Sequence, residues 1–170
     1  MRDAAAQMKR VSLELGGHAP FIVFPDADPA VVAKAAVVGK FRNNGQVCIC
    51  PSRFYVHDDI KRDFTEATVE FARALKLGNG LEAGVEVGPM FEEKAMQQAQ
   101  TLVNDARSRG ARVLTGGNRS ERFEKGYFFE PTVLTDLPQD CRILTEEPFA
   151  PVMPVLDFTK IDDEDDEEGE

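Results

Sequence analysis

The sequence predicts an α/β layered domain with a partly parallel sheet flanked by helices. Short apolar segments, typical of buried strands, alternate along the 170 residues with longer segments whose apolar side chains recur at helical spacing. Glycine, proline and aspartate residues mark most of the boundaries between these segments. A chain of this length fits one domain with a sizeable core.

Two strands are predicted near the start of the chain, on either side of a glycine turn. Val11 to Leu15 (VSLEL) alternates apolar and polar residues, and Gly16-Gly17 ends the alternation. Pro20 to Phe24 (PFIVF) is a short apolar run of the kind found in buried strands. A further strand is expected in SRFYVHDD and another in ARVLTGG.

Three helices are predicted between these strands. The first is capped by Asp28, carries Pro29 at its first position and ends before Asn43-Asn44-Gly45. The second begins at Asp59 and is stopped by Gly78, and the third runs from about Glu92 to Arg109.

Charge and composition exclude several classes of function. Of the 30 acidic residues, eight lie between Asp162 and Glu170, which leaves 22 acidic against 20 basic side chains elsewhere. We therefore expect a domain at 1–158 with an acidic, disordered tail at 159–170, and no nucleic-acid partner. No apolar run approaches the roughly 20 residues of a membrane span, and no secretion signal is recognisable. With three cysteines and two histidines, we expect a cytoplasmic protein without a complete disulfide framework or a metal site.

The stretch FRNNGQVCIC contains the first candidate for chemistry. Cys48 follows the predicted end of a helix and lies near Arg42 and Arg53 in sequence, a setting that favours the reactive thiolate. The alternative is an ordinary buried thiol, since free cysteine is often a core residue. Glu14 favours the first interpretation, because a carboxylate in an apolar strand is costly unless it serves a site, where it suits a general base.

Three motifs in this order resemble those of the NAD(P)-dependent aldehyde dehydrogenase superfamily. They are LELGG (Leu13 to Gly17), GQVC (Gly45 to Cys48) and EEPFAPV (Glu146 to Val152). The resemblance covers about residues 8–158. Within the superfamily, KFRNNGQVCICPSRFYV is most similar to the succinate-semialdehyde dehydrogenases, which carry an arginine and a second cysteine at the positions of Arg42 and Cys50.

The resemblance implies the oxidation of an aldehyde, such as succinate semialdehyde, to the carboxylic acid. Cys48 is then the nucleophile that forms a thiohemiacetal and, after oxidation, a thioester. Glu14 activates the water that hydrolyses the thioester, and the Cys48 N–H donates to the oxyanion. Arg42 binds the distal carboxylate of the substrate. Cys50 is a redox partner that forms a reversible disulfide with Cys48.

The cofactor implied by the resemblance is NAD or NADP. Glu147 is expected to bind the ribose on the nicotinamide side, with Phe149, Leu15 and Gly16 beside it. The further partners implied are a small-molecule aldehyde substrate and, in the full-length relatives, other copies in a homo-oligomer.

The sequence also departs from the family. Relatives are about three times as long, and Ala150 stands where they usually have glycine. We therefore expect a partial catalytic domain that is inactive by itself. Two alternatives remain open at this point: a non-enzymatic remnant that binds a partner, and a cofactor-independent thiol-reactive domain.

Overall fold

The computed structural model describes residues 1–159 and has a five-stranded sheet flanked by helices. Residues 160–170, which hold nearly all of the predicted acidic tail, lie outside the described residues. The helices of the described part are α1 (Arg2–Ala5), α2 (Pro29–Phe41), α3 (Asp58–Ala74) and α4 (Glu93–Ser108), with short 3-10 turns at Arg42–Gly45 and Arg142–Leu144. The strands are β1 (Ala19–Val23), β2 (Pro51–His57), β3 (Arg112–Thr115), β4 (Thr132–Thr135) and β5 (Val152–Phe158).

The sheet is mostly parallel, with the strand order β1-β2-β5-β4-β3. Strands β1, β2, β5 and β4 run parallel to one another, and β3 is antiparallel to β4 at the edge. β5, the last strand within residues 1–159, therefore lies in the middle of the sheet. This topology confirms the predicted α/β class with a partly parallel sheet.

Both faces of the sheet are covered, so that its central strands are buried on two sides. Met153 and Val155 of β5 pack in one apolar cluster with residues of α2 and α3. Val152 and Leu156 of the same strand pack in a second cluster with residues of α4. Central strands of a parallel sheet are apolar on both faces for this reason.

Helix α2 forms as the sequence predicts and leads into the candidate site. The Asp28 carboxylate accepts hydrogen bonds from the backbone N–H groups of Ala30 (2.9 Å) and Val31 (3.2 Å), and Pro29 occupies the first turn. One face buries Ala33, Ala36, Val37 and Phe41. Strands β1, β2 and β3 and helices α3 and α4 also form close to the predicted bounds, except that α3 ends at Ala74 rather than near Gly78.

The predicted strand from Val11 to Leu15 is wrong. These residues have no regular secondary structure, and Val11, Leu13 and Leu15 are exposed. A strand needs a neighbour for its backbone hydrogen bonds, and none of the described strands pairs with this segment. Alternation of apolar and polar residues does not form a strand without such a partner.

Strands β4 and β5 were not predicted. β4 has four residues, all buried, and is too short to show a period. β5 contains Pro154, which pairs in register with Leu134, and proline is normally confined to edge strands. Because of this proline, the local sequence pattern does not predict the strand that lies at the centre of the sheet.

Within residues 1–159 no helix is long and apolar enough to cross a membrane.

Candidate active site

Three loops that are distant in sequence meet at the end of the sheet where the parallel strands begin. Gly16-Gly17 leads into β1, Cys48 into β2 and Glu147 into β5, and these three strands are adjacent and parallel. The amino ends of adjacent parallel strands lie side by side, so the loops before them converge. They line an open groove of about 600 Å³, formed by Glu14, Leu15, Gly16, Asn43, Gln46, Val47, Cys48, Glu147 and Phe149.

Six of the eight site residues predicted from the sequence lie on this groove. They are Glu14, Leu15, Gly16, Cys48, Glu147 and Phe149. Arg42 and Cys50 do not line it. The spatial grouping of residues from the three motifs is thus a property of the fold, whereas the chemical role of each residue stays a prediction.

The double glycine allows the first loop to approach the other two. A β-carbon on Gly17 would lie 2.6 Å from the carbonyl oxygen of Cys48, which is shorter than real contacts of this kind. A β-carbon on Gly16 would collide with the Glu147 carboxylate. The absence of side chains at these two positions therefore lets the backbone lie directly against Cys48 and Glu147.

The loop of residues 41–50, called the nucleophile loop after the role predicted for Cys48, turns sharply after α2. Asn43, Asn44 and Gly45 all have positive φ angles (50°, 59° and 69°), a conformation that asparagine and glycine tolerate best. The Asn43 side chain donates to the Gln46 carbonyl oxygen (3.0 Å), and the Gln46 side chain donates to the Asn43 carbonyl oxygen (3.0 Å). These reciprocal hydrogen bonds hold the turn that presents Cys48.

A neighbouring segment braces this loop, and sequence reasoning missed it. Asn44 is buried, and its side-chain amide donates to the carbonyl oxygens of Gly88 (3.0 Å) and Pro89 (3.1 Å). The Gln46 side-chain oxygen accepts from the backbone N–H of Phe91 (3.1 Å). The only indication in the sequence is the pair of asparagines before Gly45, because amide side chains at positive φ commonly satisfy nearby backbone groups.

The two cysteines of the loop lie in opposite environments. Cys48 is exposed, and within the described residues its backbone N–H makes no backbone hydrogen bond. Cys50 is buried, with its sulfur 3.6 Å from the Lys40 carbonyl oxygen and 3.4 Å from that of Pro51. Burial raises the pKa of the Cys50 thiol, although the nearby Lys40 charge opposes the shift. Only Cys48 therefore presents its thiol to the groove.

Glu14 lies on the groove, but not in the environment expected for it. The sequence analysis expected a carboxylate buried in an apolar strand, whereas Glu14 is exposed in an irregular segment. The argument from costly burial is therefore wrong for the described chain. What remains is its position on the same groove as Cys48.

The two adjacent glutamates before β5 are distinguished by their partners. Glu146 forms an ion pair with Arg142 (2.6 Å) and accepts a hydrogen bond from Gln98 (3.4 Å). The Arg142 guanidinium lowers the pKa of the Glu146 carboxyl. Glu147 is half-buried and makes no ion pair within 4.0 Å among the described residues, so its carboxylate remains available to the groove.

The backbone beside Glu147 accommodates alanine at position 150. Phe149 has a positive φ of 40°, which is uncommon for a bulky residue, while Ala150 is not among the positive-φ residues. The unusual conformation therefore falls on Phe149, and Ala150 introduces no strain. Residues held in such conformations cluster at functional sites.

Arg42 borders a second groove on the other part of the nucleophile loop. It is exposed at the end of α2 and shares a groove of about 300 Å³ with Val37, Val38, Phe41, Leu75, Glu86 and Val87. The nucleophile loop thus contributes to two grooves, one containing Cys48 and the other containing Arg42.

Two further side chains, His18 and Cys141, contact the interior of the protein. His18 hydrogen-bonds the buried Ser52 hydroxyl through Nδ1, and burial lowers its pKa. Cys141 is fully buried in the cluster that packs against α4, and burial raises its pKa. Among residues 1–159 no group of three or more histidine, cysteine, aspartate or glutamate side chains is placed to hold a metal ion.

Comparison with known proteins points to one family. The model of the aldehyde dehydrogenase family matches residues 1–166. A glutarate-semialdehyde dehydrogenase of Pseudomonas putida is 46% identical over 158 residues, which are 93% of this chain and 32% of that protein. The NADP(+) succinate-semialdehyde dehydrogenase GabD of Escherichia coli is 44% identical over 158 residues, which are again 93% of this chain and 32% of that protein.

Solved structures give the same result. The succinate-semialdehyde dehydrogenase of Burkholderia pseudomallei has a TM-score of 0.88 and 40% identity, over 94% of this chain and 33% of that one. The chain therefore spans about a third of the length of the relatives it matches.

The close approach of the double glycine to the other loops is testable. We expect Gly17→Ala to lower the free energy of unfolding by about 1–3 kcal/mol, because the new methyl group would overlap a backbone oxygen that cannot move alone. Gly16→Ala should cost less, since the Glu147 side chain can rotate away. The measurement is urea unfolding of each variant.

Gly80→Ala is the matched control, because a β-carbon there meets nothing within 4 Å and the backbone φ is not positive. It should be neutral or stabilising by up to about 1 kcal/mol. A loss at Gly17 no larger than the change at Gly80 would contradict the close packing of the two loops.

Proposed function

The chain belongs to the aldehyde dehydrogenase family, and from this membership we propose that its residues form the nucleophile-bearing part of an NAD(P)-dependent semialdehyde dehydrogenase. The observation that carries the proposal is the groove on which Cys48, Glu14 and Glu147 meet. Because the chain spans only about a third of its relatives, the activity proposed is that of the whole protein.

Cys48 is the proposed nucleophile. Its sulfur attacks the aldehyde carbon to form a thiohemiacetal, and the carbonyl oxygen becomes an alkoxide. The exposed thiol of Cys48 supports this role, and so does its backbone N–H, which makes no backbone hydrogen bond within residues 1–159 and can donate to that oxygen. Oxidation of the thiohemiacetal carbon leaves a thioester on the same sulfur.

Glu14 is the proposed general base for hydrolysis of the thioester. It lies on the same groove as Cys48 and is exposed, so water has access to both groups. Its carboxylate takes a proton from the water that attacks the thioester carbon. The carbon–sulfur bond then breaks, which regenerates the Cys48 thiolate and releases the carboxylic acid.

The groove also fits the sugar end of a dinucleotide. Glu147 offers a carboxylate without an ion pair within 4.0 Å among the described residues, and such a carboxylate suits two adjacent hydroxyl groups. Gly16 keeps the space above that carboxylate free of a side chain, and Phe149 and Leu15 add exposed apolar surface. NAD or NADP, when bound, accepts the electron pair removed from the substrate carbon.

The proposed substrate class is an aldehyde that carries a distal carboxylate. Relatives are named for glutarate semialdehyde and succinate semialdehyde, both of this type. Arg42 is the proposed partner of the carboxylate, because a guanidinium pairs with carboxylates in a bidentate manner. Its groove also borders the nucleophile loop, which supports a substrate that reaches Cys48 from that groove.

The remaining parts of the proposal concern regulation and assembly. Cys50 is proposed to form a reversible disulfide with Cys48, which requires its thiol to leave the carbonyl oxygens it now contacts. The whole protein is proposed to act as a homo-oligomer, as the resemblance implies.

A second candidate function is a thiol-reactive domain that needs no cofactor. The exposure of Cys48 favours it, because the thiol is accessible without any further residue.

We first predict that succinate semialdehyde protects Cys48 of the purified chain from alkylation. A thiohemiacetal occupies the sulfur, so saturating aldehyde should slow the reaction of Cys48 with iodoacetamide about tenfold. Peptide mass spectrometry measures the rate, and succinate, which lacks the aldehyde, is the control. Equal rates with and without aldehyde would contradict the nucleophile assignment.

We next predict that these 170 residues alone do not produce reduced nicotinamide above the rate of Cys48→Ala. Positioning of the cofactor contributes about 7–11 kcal/mol in favourable cases. Within residues 1–159 no glycine-rich turn joins a strand to a helix to cradle a pyrophosphate. Absorbance of reduced nicotinamide with either NAD or NADP is the measurement, and turnover that Cys48→Ala abolishes would refute the prediction.

Arg42 is tested by comparing two aldehydes. In Arg42→Gln, about tenfold more succinate semialdehyde should be needed to protect Cys48, because one charged hydrogen-bonded contact is lost. Protection by butanal, which has no carboxylate, should change less than about twofold. An equal effect on the two aldehydes would assign Arg42 to the structure of the loop and not to the substrate.

A further inference from the structure

Side chains on one face of helix α4 hold the segment that leads to Glu147. Gln98, Asp105 and Arg109, the last of which directly follows α4, all bond residues of the segment 140–146. Positions spaced by seven and four residues lie on the same face of an α-helix, so a single face makes all three contacts. None of the three side chains takes part in the proposed chemistry.

Asp105 makes the central contact of this set. Its Oδ2 accepts a hydrogen bond from the backbone N–H of Arg142 (2.9 Å), and its Oδ1 accepts one from Nε of Arg109 (3.0 Å). The side chain is only 14% exposed. An N–H bound to a carboxylate forms a charge-assisted hydrogen bond, which is roughly twice as strong as a neutral one. Asp105 therefore fixes the Arg142 backbone to α4.

The contact caps the short 3-10 turn Arg142–Leu144. The first N–H groups of a helical turn have no partner within the turn, and an N-cap side chain normally accepts from one of them. Cys141 precedes this turn, and its side chain makes no such hydrogen bond. Asp105, which lies 37 residues earlier in the chain, supplies the cap from another element.

The turn in turn determines the position of Glu147. The Arg142 carbonyl oxygen accepts from the N–H of Glu146 (2.8 Å), and the Arg142 guanidinium binds the Glu146 carboxylate (2.6 and 3.0 Å). Glu147 is the next residue, and its carboxylate lies against Gly16, where a β-carbon would collide with it. A displacement of the turn would therefore move the Glu147 carboxylate relative to Gly16.

We propose that Asp105 is a positioning residue for Glu147: by capping the turn Arg142–Leu144 from helix α4, it fixes the place at which the Glu147 carboxylate meets Gly16. Helix α4 contributes no residue to the groove and yet, through Asp105, sets the position of one of its walls. The inference rests on the proposed function only in taking Glu147 as the residue that binds the dinucleotide.

Three variants separate the hydrogen bond from the packing of the turn. Asp105→Ala removes the acceptor, whereas Asp105→Asn keeps an acceptor oxygen without the charge. Arg109→Gln removes the other partner of Asp105 and leaves the Arg142 N–H bonded. The side chains of Ile143 and Leu144, which bury the turn, are the same in all three.

The first measurement is amide hydrogen exchange of the purified chain, followed residue by residue with NMR. Asp105→Ala should accelerate exchange at Arg142 about tenfold, because a hydrogen bond to a charged group is lost. Asp105→Asn should accelerate it less than about threefold, and Arg109→Gln less than about twofold. An unchanged rate in Asp105→Ala, or equal rates in the Ala and Asn variants, would overturn the capping role.

The second measurement reads the position of Glu147 from the opposite loop. The amide resonance of Gly16 senses the neighbouring carboxylate, and Glu147→Gln calibrates the size of that effect. Asp105→Ala should shift the Gly16 resonance by an amount comparable with Glu147→Gln, while Asp105→Asn and Arg109→Gln leave it in place. A general loss of stability does not move the resonance of the folded state. A Gly16 resonance unmoved in Asp105→Ala would show that the cap serves the turn alone, and would refute the positioning role.

Acid titration keeps the proposal testable if Asp105→Ala does not fold. The Arg142 N–H and the Arg109 guanidinium lower the pKa of the Asp105 carboxyl, and burial opposes them. The other ionisable groups near it are those of Asp140, Cys141 and Glu146. The charge-assisted bond is therefore complete at neutral pH and weakens as the pH falls through the lowered pKa of Asp105.

The Arg142 amide proton of the wild type should accordingly shift upfield as Asp105 is protonated, and Asp105→Asn should abolish this shift. A wild-type resonance that does not move, or the same movement in Asp105→Asn, would refute the contact. None of these measurements depends on dehydrogenase turnover, so a failure here is distinct from a failure of the proposed activity.

Discussion

The parallel pairing of β1, β2 and β5 is the constraint on which the candidate site depends. The pairing of β1 with β2 begins at Ala19 beside Pro51, and the pairing of β2 with β5 begins at Phe54 beside Val155. Because neighbouring parallel strands begin at the same end of the sheet, the loops that precede them lie close together. If β5 lay at the far edge of the sheet, beyond β3, Glu147 would lie away from Gly16, and the groove would lose one wall.

Close backbone contacts then give the groove its shape. Gly17 lies against the Cys48 carbonyl group, and Gly45 lies against the Ala150 carbonyl group, at separations that a side chain would prevent. Asn44 adds hydrogen bonds to Gly88 and Pro89, which tie the nucleophile loop to a segment outside the three motifs. The loop is therefore held by backbone packing and by the buried Asn44 amide, between the buried end residues Phe41 and Cys50.

The distribution of charge around the groove is equally specific. Arg142 forms an ion pair with Glu146, whereas Glu147 makes no ion pair within 4.0 Å among residues 1–159. One glutamate of the pair is thus occupied, and the other lines the groove. Burial lowers the pKa of Lys40, and the charges of Cys50 and Glu147 oppose this lowering.

Local patterns predicted helices α2, α3 and α4 and strands β1, β2 and β3, and the motifs of the family resemblance identified most groove residues. Asp28 and Pro29 specify the start of α2 through short-range capping, and the motifs around Cys48 and Glu147 are contiguous in sequence. Only the tertiary structure decided that Val11–Leu15 is not a strand, that Pro154 lies in the central strand, that Glu14 is exposed and that Lys40 is buried. Strand pairing and burial depend on partners far away along the chain, and no local pattern contains them.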